Sequence, residues 1–212
     1  MINENFIVVF DMETNSLNEP WPVELCSCVI NPRSLEIVPN EQFSSLCKPP
    51  SDVIIEDKAL EINHIKREDI EKAPLVEVVW PQFIEWVGRF NKKKNKWDAP
   101  IPCGMNIKGF DLPIAQRMTK LYGKKKEDTI LFNTFKIIDL LDIIFLWFEN
   151  SNELTNHKLD TLRDYFGLSK DGSHRAMKDV EDTAKIIIRF LKFHRSLMGS
   201  SKVKFKDAFK NG

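Results

Sequence analysis

Five consecutive apolar residues, Phe6 to Phe10, run directly into Asp11-Met12-Glu13-Thr14. A short run that is apolar on both faces reads as a strand covered on both sides, placed centrally in a layered sheet. Along an extended chain, residues i and i+2 share a face. Asp11 and Glu13 therefore emerge side by side where the strand ends. Two carboxylates that close resist ionising together, and a divalent cation relieves the repulsion. A solvated pair of acids at a strand end accounts for a lone Asp-x-Glu at least as well.

The chain around that strand changes period. Val23 to Ile30 and Leu35 to Leu46 are two further strand candidates, joined by the turn Asn31-Pro32-Arg33-Ser34. The first three strands then form an antiparallel meander. From Pro74 to Phe90 the apolar positions Leu75, Val78, Val79, Phe83, Trp86, Val87 and Phe90 recur at three and four, which predicts a helix. A strand at Ile101–Met105, a helix over Gly109–Tyr122 and a strand running into a helix over Phe135–Phe148 follow. Leu159–Phe166 reads as a short helix closed by Gly167, and Ala176–Leu197 as a long one. The class is α/β with a mixed sheet.

The 212 residues suffice for one domain and are few for two, with no internal repeat or dividing linker. We expect a single domain over 1–197 and a polar, lysine-rich extension over 198–212. Apolar residues at 42% and charged residues at 29% are ordinary for a globular chain and exclude a disordered or fibrous one. The net charge is zero, but residues 1–90 hold 7 basic and 16 acidic side chains while residues 91–212 hold 24 and 15. An acidic spot beside a basic surface suits metal-dependent work on a polyanion, and equally an ordinary solvated surface. Cys26, Cys28, Cys47 and Cys103 lack zinc-site spacing. No signal peptide and no membrane span is visible, so the expected setting is reducing and cytoplasmic.

Two more segments carry acids at element ends. Asn106-Ile107-Lys108-Gly109-Phe110-Asp111 places Asp111 at a helix start, where a carboxylate also serves the unpaired backbone amides. His174-Arg175-Ala176-Met177-Lys178-Asp179 places His174 before the long helix and Asp179 within its first turns. Glu181 and Asp182 read as ordinary surface acids. Together these give four carboxylates and one histidine on three separated segments. Hard oxygen donors of this kind suit two Mg²⁺ or Mn²⁺ ions and phosphoryl transfer, with the histidine able to take a proton from water.

These motifs, in this order, resemble the DnaQ-like 3′→5′ exonucleases of the subgroup marked by Asp, Glu, Asp, Asp and His. Asp11 to Thr14 is similar to the first motif, and Val23-Glu24-Leu25 to the strand after it. Ala59 to Asn63 is similar to a segment flanking the substrate pocket, and Asn106 to Asp111 to the second motif. Leu159-Asp160-Thr161-Leu162 with His174 to Asp179 is similar to the third. Arg175 stands where a tyrosine-type enzyme would need Tyr. The second motif is one position longer than usual, and its Phe110-Asp111-Leu112-Pro113 resembles the exonuclease domains of family B DNA polymerases.

The resemblance spans residues 6–195 and implies a ribonuclease H-like fold. It implies that Asp11 bridges both metals, that Glu13 and Asp179 complete one site, that Asp111 holds the second ion, and that His174 is the general base. It also implies that Met12, Thr14, Leu17, Ile62, Asn63, Asn106 and Phe110 line the terminal-nucleotide pocket, Leu17 wedging near the base. The implied activity is release of nucleoside monophosphates from 3′ ends of single-stranded or frayed DNA. The alternatives are RNA trimming, or an inactive nucleic-acid-binding or polymerase-associated module. The implied partner is a nucleic acid with a free 3′ end, with homodimerisation or polymerase association beside it. The lysines at 92–96 and 124–126 are candidates to guide the phosphate backbone.

Overall fold

The computed structural model of the protein describes residues 5–125, 128–170 and 175–200. The apolar run continues as a strand through the acids: β1 is Ile7–Thr14, followed by β2 at Pro22–Asn31 and β3 at Glu36–Leu46. Two short helices, α1 (Asp57–Ile62) and α2 (Arg67–Lys72), come next and have no counterpart in the periodicity reading. Each holds one buried residue, Leu60 and Ile70, too little to print a helical stripe on the sequence. The chain continues as α3 (Val76–Gly88), β4 (Ile101–Gly104), α4 (Asp111–Tyr122), β5 (Ile138–Asp139), α5 (Leu140–Trp147), α6 (Leu159–Phe166) and α7 (Ala176–Ser200). The last helix runs three residues beyond the expected Leu197.

The five strands lie in the order β3-β2-β1-β4-β5. β1 pairs antiparallel with β2, and β2 with β3, while β1–β4 and β4–β5 are parallel. This mixed sheet, antiparallel first and parallel after, flanked by helices, is the ribonuclease H-like arrangement expected. β1 is central, as its two-sided apolar run requires.

Alternation along β1 divides the core. Val8, Phe10 and Met12 pack with α3 and α4, where Phe10, Phe83 and Phe132 meet at centroid separations of 5.0 to 6.5 Å. Ile7 and Val9 face the other way, against Val180, Ala184 and Ile187 of α7. The same alternation points Asp11 and Glu13 toward α7. All four cysteines are free and buried. Among the described residues no helix is long and apolar enough to cross a membrane.

Candidate active site

β1 delivers Asp11 and Glu13 to one face, both partly buried. Antiparallel register sets Glu24 of β2 directly opposite Glu13. Cys26 and Cys28 of β2 lie on the α7 side, so Glu24, two residues earlier, shares that face. Across the gap, α7 presents Asp179 from its first turn. Asp111, the first residue of α4, is only 3% exposed, and its Oδ1 accepts the Met12 N–H at 3.1 Å. The sheet and two helix starts thus gather Asp11, Glu13, Asp111 and Asp179, taken from positions up to 168 residues apart.

The acids perturb one another. Burial, then repulsion from Asp179 and Glu24, lifts Asp11 from its ordinary 3.8 to about 7, against a smaller pull from Arg163. Burial and the charges of Asp11, Glu24 and Asp179 lift Glu13 from 4.5 to about 8. Burial and Asp11 raise Asp111 well above the usual carboxylate range, although the Met12 N–H opposes the rise. Glu24 is raised too, chiefly by burial. Carboxylates held together and reluctant to ionise are a donor set that a hard divalent cation completes. Among the described residues, no three acid, histidine or cysteine side chains are already drawn around one point. Two of the acids are engaged by the protein instead: Asp111 by the Met12 amide, and Asp179 by Arg163.

Arg163 of α6 is 1% exposed, and every arm of its guanidinium is used. Its Nε donates to Asp182 Oδ2 at 2.9 Å, one terminal nitrogen to Asp160 at 2.8 Å, and the other to Asp179 Oδ1 at 2.6 Å. Asp182 is fully buried and also meets Lys178 Nζ at 2.6 Å and Lys185 Nζ at 3.2 Å. It is a structural anchor for α6 against α7 and not the ordinary surface acid expected. Its neighbour Glu181 accepts from Gln42 Nε2 at 3.0 Å. One oxygen of Asp179 is therefore fixed by the protein, and its charge acts on Asp11 and Glu13 of β1.

The loop into Asp111 is pinned from below. Asp139, at the end of β5 and the N-cap of α5, accepts the Asn106 and Leu141 N–H groups on Oδ1 at 2.8 and 3.0 Å. Its Oδ2 accepts the Lys108 N–H at 3.0 Å. Asn106 sits in the left-handed region at φ 59°, which asparagine tolerates better than most residues. A Cβ on Gly104 would lie 2.8 Å from the Phe10 carbonyl oxygen and closer still to Ile107, so the end of β4 requires glycine.

The expected pocket residues differ widely in exposure. Thr14 is 7% exposed and its hydroxyl donates to the Ser16 carbonyl at 3.0 Å. Asn63 donates to the Thr14 carbonyl at 3.1 Å, tying the end of α1 to the end of β1. Asn15 donates to the Ile54 carbonyl at 2.7 Å and accepts from the Trp21 amide at 2.6 Å. On this locked rim Leu17 and Ile62 stand 86% and 64% exposed. Met12 is buried, Phe110 is partly buried as the residue before α4, and Asn106 is exposed. His174 lies outside the described residues. Sequence reasoning missed Glu24, Arg163 and Asp139 as parts of the site. Glu24 was findable, since it follows a buried-strand start at the same parity as Cys26 and Cys28.

Comparison with known proteins places this geometry. The RNase T family model, described as "Exonuclease", matches residues 8–187. The chain belongs to the DnaQ-like exonuclease family. A curated relative, the PolC-type DNA polymerase III of Caldanaerobacter subterraneus subsp. tengcongensis, is 27% identical over 188 residues, covering 89% of this chain and 12% of that protein. The chain thus spans about an eighth of that polymerase's length. Among solved structures, cell-death related nuclease 4 (CRN-4) overlays with a TM-score of 0.72 at 18% identity, covering 90% of this chain and 65% of that one. E. coli exonuclease I in complex with a dT13 oligonucleotide gives 0.70 at 14% identity, with 92% and 43% covered. The nuclease domain of 3′hExo, a DEDDh family member bound to rAMP, gives 0.65 at 18% identity, with 90% and 93% covered. Asp11, Glu13, Asp111 and Asp179 all lie within the residues that the family model matches.

Proposed function

We propose that the chain is a hydrolase that removes nucleoside monophosphates one at a time from the 3′ end of single-stranded or frayed DNA, using two divalent ions. The observation that carries this reading is the convergence of Asp11, Glu13, Asp111 and Asp179, with burial and mutual repulsion raising the first three. Asp11, Glu13 and Asp179 would hold one Mg²⁺ or Mn²⁺, and Asp11 with Asp111 the other. Bound there, such ions supply Lewis-acid stabilisation of phosphoryl oxygens and lower the pKa of water. His174, the motif histidine ahead of α7, takes the proton of the attacking water. The exposed Leu17 and Ile62, with Phe110, offer apolar surface to the terminal base. Arg163 keeps Asp179 from rotating, through its 2.6 Å contact.

DNA is favoured over RNA because the curated relative is a DNA polymerase. The same likeness supports association with a polymerase. A 3′-exoribonuclease is the second reading, and the structural likeness to a domain bound to rAMP speaks for it. The test is digestion of 5′-labelled single-stranded DNA by the full chain with Mg²⁺ or Mn²⁺, beside Asp11→Asn. A ladder shortening from the 3′ end, lost in the variant and in EDTA, is expected. Full activity in Asp11→Asn would overturn the assignment.

A further inference from the structure

Away from the acids, two aromatic rings lie open to solvent in a fixed arrangement. Trp97 and Phe135 stack at 4.7 Å between centroids and 11° between planes, and are 59% and 62% exposed. Lys96 Nζ lies 5.0 Å from the Trp97 centroid and 5.9 Å from that of Phe135. Exposed rings on a short loop normally lose this order to rotamer entropy. Here the backbones beneath them are clamped by one buried residue. Asn133, 2% exposed, donates to the Trp97 carbonyl at 3.1 Å and accepts from the Phe135 amide at 2.9 Å. Asn5 donates to the same Trp97 carbonyl at 2.8 Å, and Asn95 accepts from the Trp97 amide at 2.8 Å. The rings add little to the core, yet three buried or half-buried asparagines hold their bases.

A cleft of about 540 Å³ lies beside this stack, lined by the sequence neighbours of both rings. Lys96 and Thr134 line it, together with Leu112, Gln116 and Lys120 of α4. Those three positions are spaced at four, hence on one helix face, and span about 12 Å at the helical rise. Leu112 directly follows Asp111. Asp128 also lies on the wall, and nearby Lys93 pairs with Asp98 at 3.2 Å. Lys92, Lys93, Lys94, Lys124 and Lys125 are exposed, and Lys94, Lys124 and Lys125 line a neighbouring cleft that shares Asp128, Thr129 and Ile130 with this one.

We propose that the Trp97–Phe135 stack and Lys96 form a second binding site for single-stranded nucleic acid, taking a base of the strand on the 5′ side of the end being trimmed. Every base has a face to stack on, and a lysine beside the stack meets the neighbouring phosphate. A purely aliphatic patch would suit a protein partner better; flat rings with ammonium groups suit bases and phosphates. The proposal rests on the exonuclease reading, which supplies the strand.

The test is fluorescence anisotropy of 5′-labelled DNA and RNA strands with the full chain in EDTA, where no hydrolysis intervenes. Wild-type affinity should rise about tenfold between strands of roughly 4 and roughly 20 nucleotides. Trp97→Ala with Phe135→Ala should abolish that rise while leaving short-strand binding, and digestion of short strands, unchanged. Trp97→Tyr, which keeps a ring on the same backbone clamp, should restore most of it. Lys96→Gln should lower the salt slope of long-strand binding by roughly one. Length-dependent binding through these rings by either sugar supports the site, and the sugar preferred identifies the polymer. Equal long-strand affinity in the double variant would overturn it, as would equal loss for short and long strands with the fold intact. Digestion without ring-dependent binding refutes the platform alone, whereas ring-dependent binding without digestion under any metal refutes the hydrolase reading alone.

Discussion

Replacing Glu13 by glutamine should stabilise the metal-free protein at alkaline pH while destroying its function. Burial and the charges of Asp11, Glu24 and Asp179 raise Glu13 from 4.5 to about 8. Its folded value exceeds its unfolded one, so its favourable contribution is complete below about pH 4.5 and is lost as pH rises through about 8. Each pH unit between those values is worth about 1.4 kcal/mol, which caps the cost at about 5 kcal/mol. Glu13 is only partly buried, and water screens what it reaches, so we expect glutamine to return about 1–2 kcal/mol at roughly pH 8.5. At roughly pH 5.5 the folded wild-type side chain is protonated and the gain should shrink toward zero. Urea unfolding of both proteins in EDTA at the two pH values measures it. Adding Mg²⁺ should reverse the order, because only the wild type keeps the ligand. A glutamine variant less stable at both pH values, or a gain that does not change with pH, would refute the mutual repulsion on which the metal assignment rests.

Other outcomes follow from the same geometry. Asp11→Asn and Asp179→Asn should each abolish 3′-end digestion while circular dichroism stays native. Arg163→Met should cost about 3 kcal/mol in urea unfolding, the low end for a broken buried pair, because Lys178 and Lys185 still meet Asp182. It should also weaken Mn²⁺ binding measured by titration calorimetry, since Asp179 loses its 2.6 Å anchor. Gly104→Ala should destabilise by about 1–3 kcal/mol, as its Cβ has no room against the Phe10 carbonyl and Ile107.

Much of this architecture was legible from residue order. A short run apolar on both faces reads as a central strand, and β1 is central. Parity along it put Asp11 and Glu13 on one shared face before any helix was placed. The long helices printed their stripes, so α3, α4 and α7 appear near their expected bounds. What stayed hidden depends on contacts between distant segments. α1 and α2 bury one side chain each and leave no periodic trace. Asp182 looks like any helix-surface acid until α6 supplies Arg163 from 19 residues away. Asp139 supports the Asn106 loop from 33 residues further along the chain. Such polar clamps have no local signature, because a carboxylate at a strand end or on a helix is equally at home in water.

The central claim is that these acids trim nucleic acid from its 3′ end. It is tested most directly by incubating the full chain with matched 5′-labelled single-stranded DNA and RNA in Mg²⁺, Mn²⁺ or EDTA. A metal-dependent ladder shrinking from the 3′ end, faster on DNA, is the predicted result. Intact strands of both kinds in both metals, from protein shown to be folded, would contradict it.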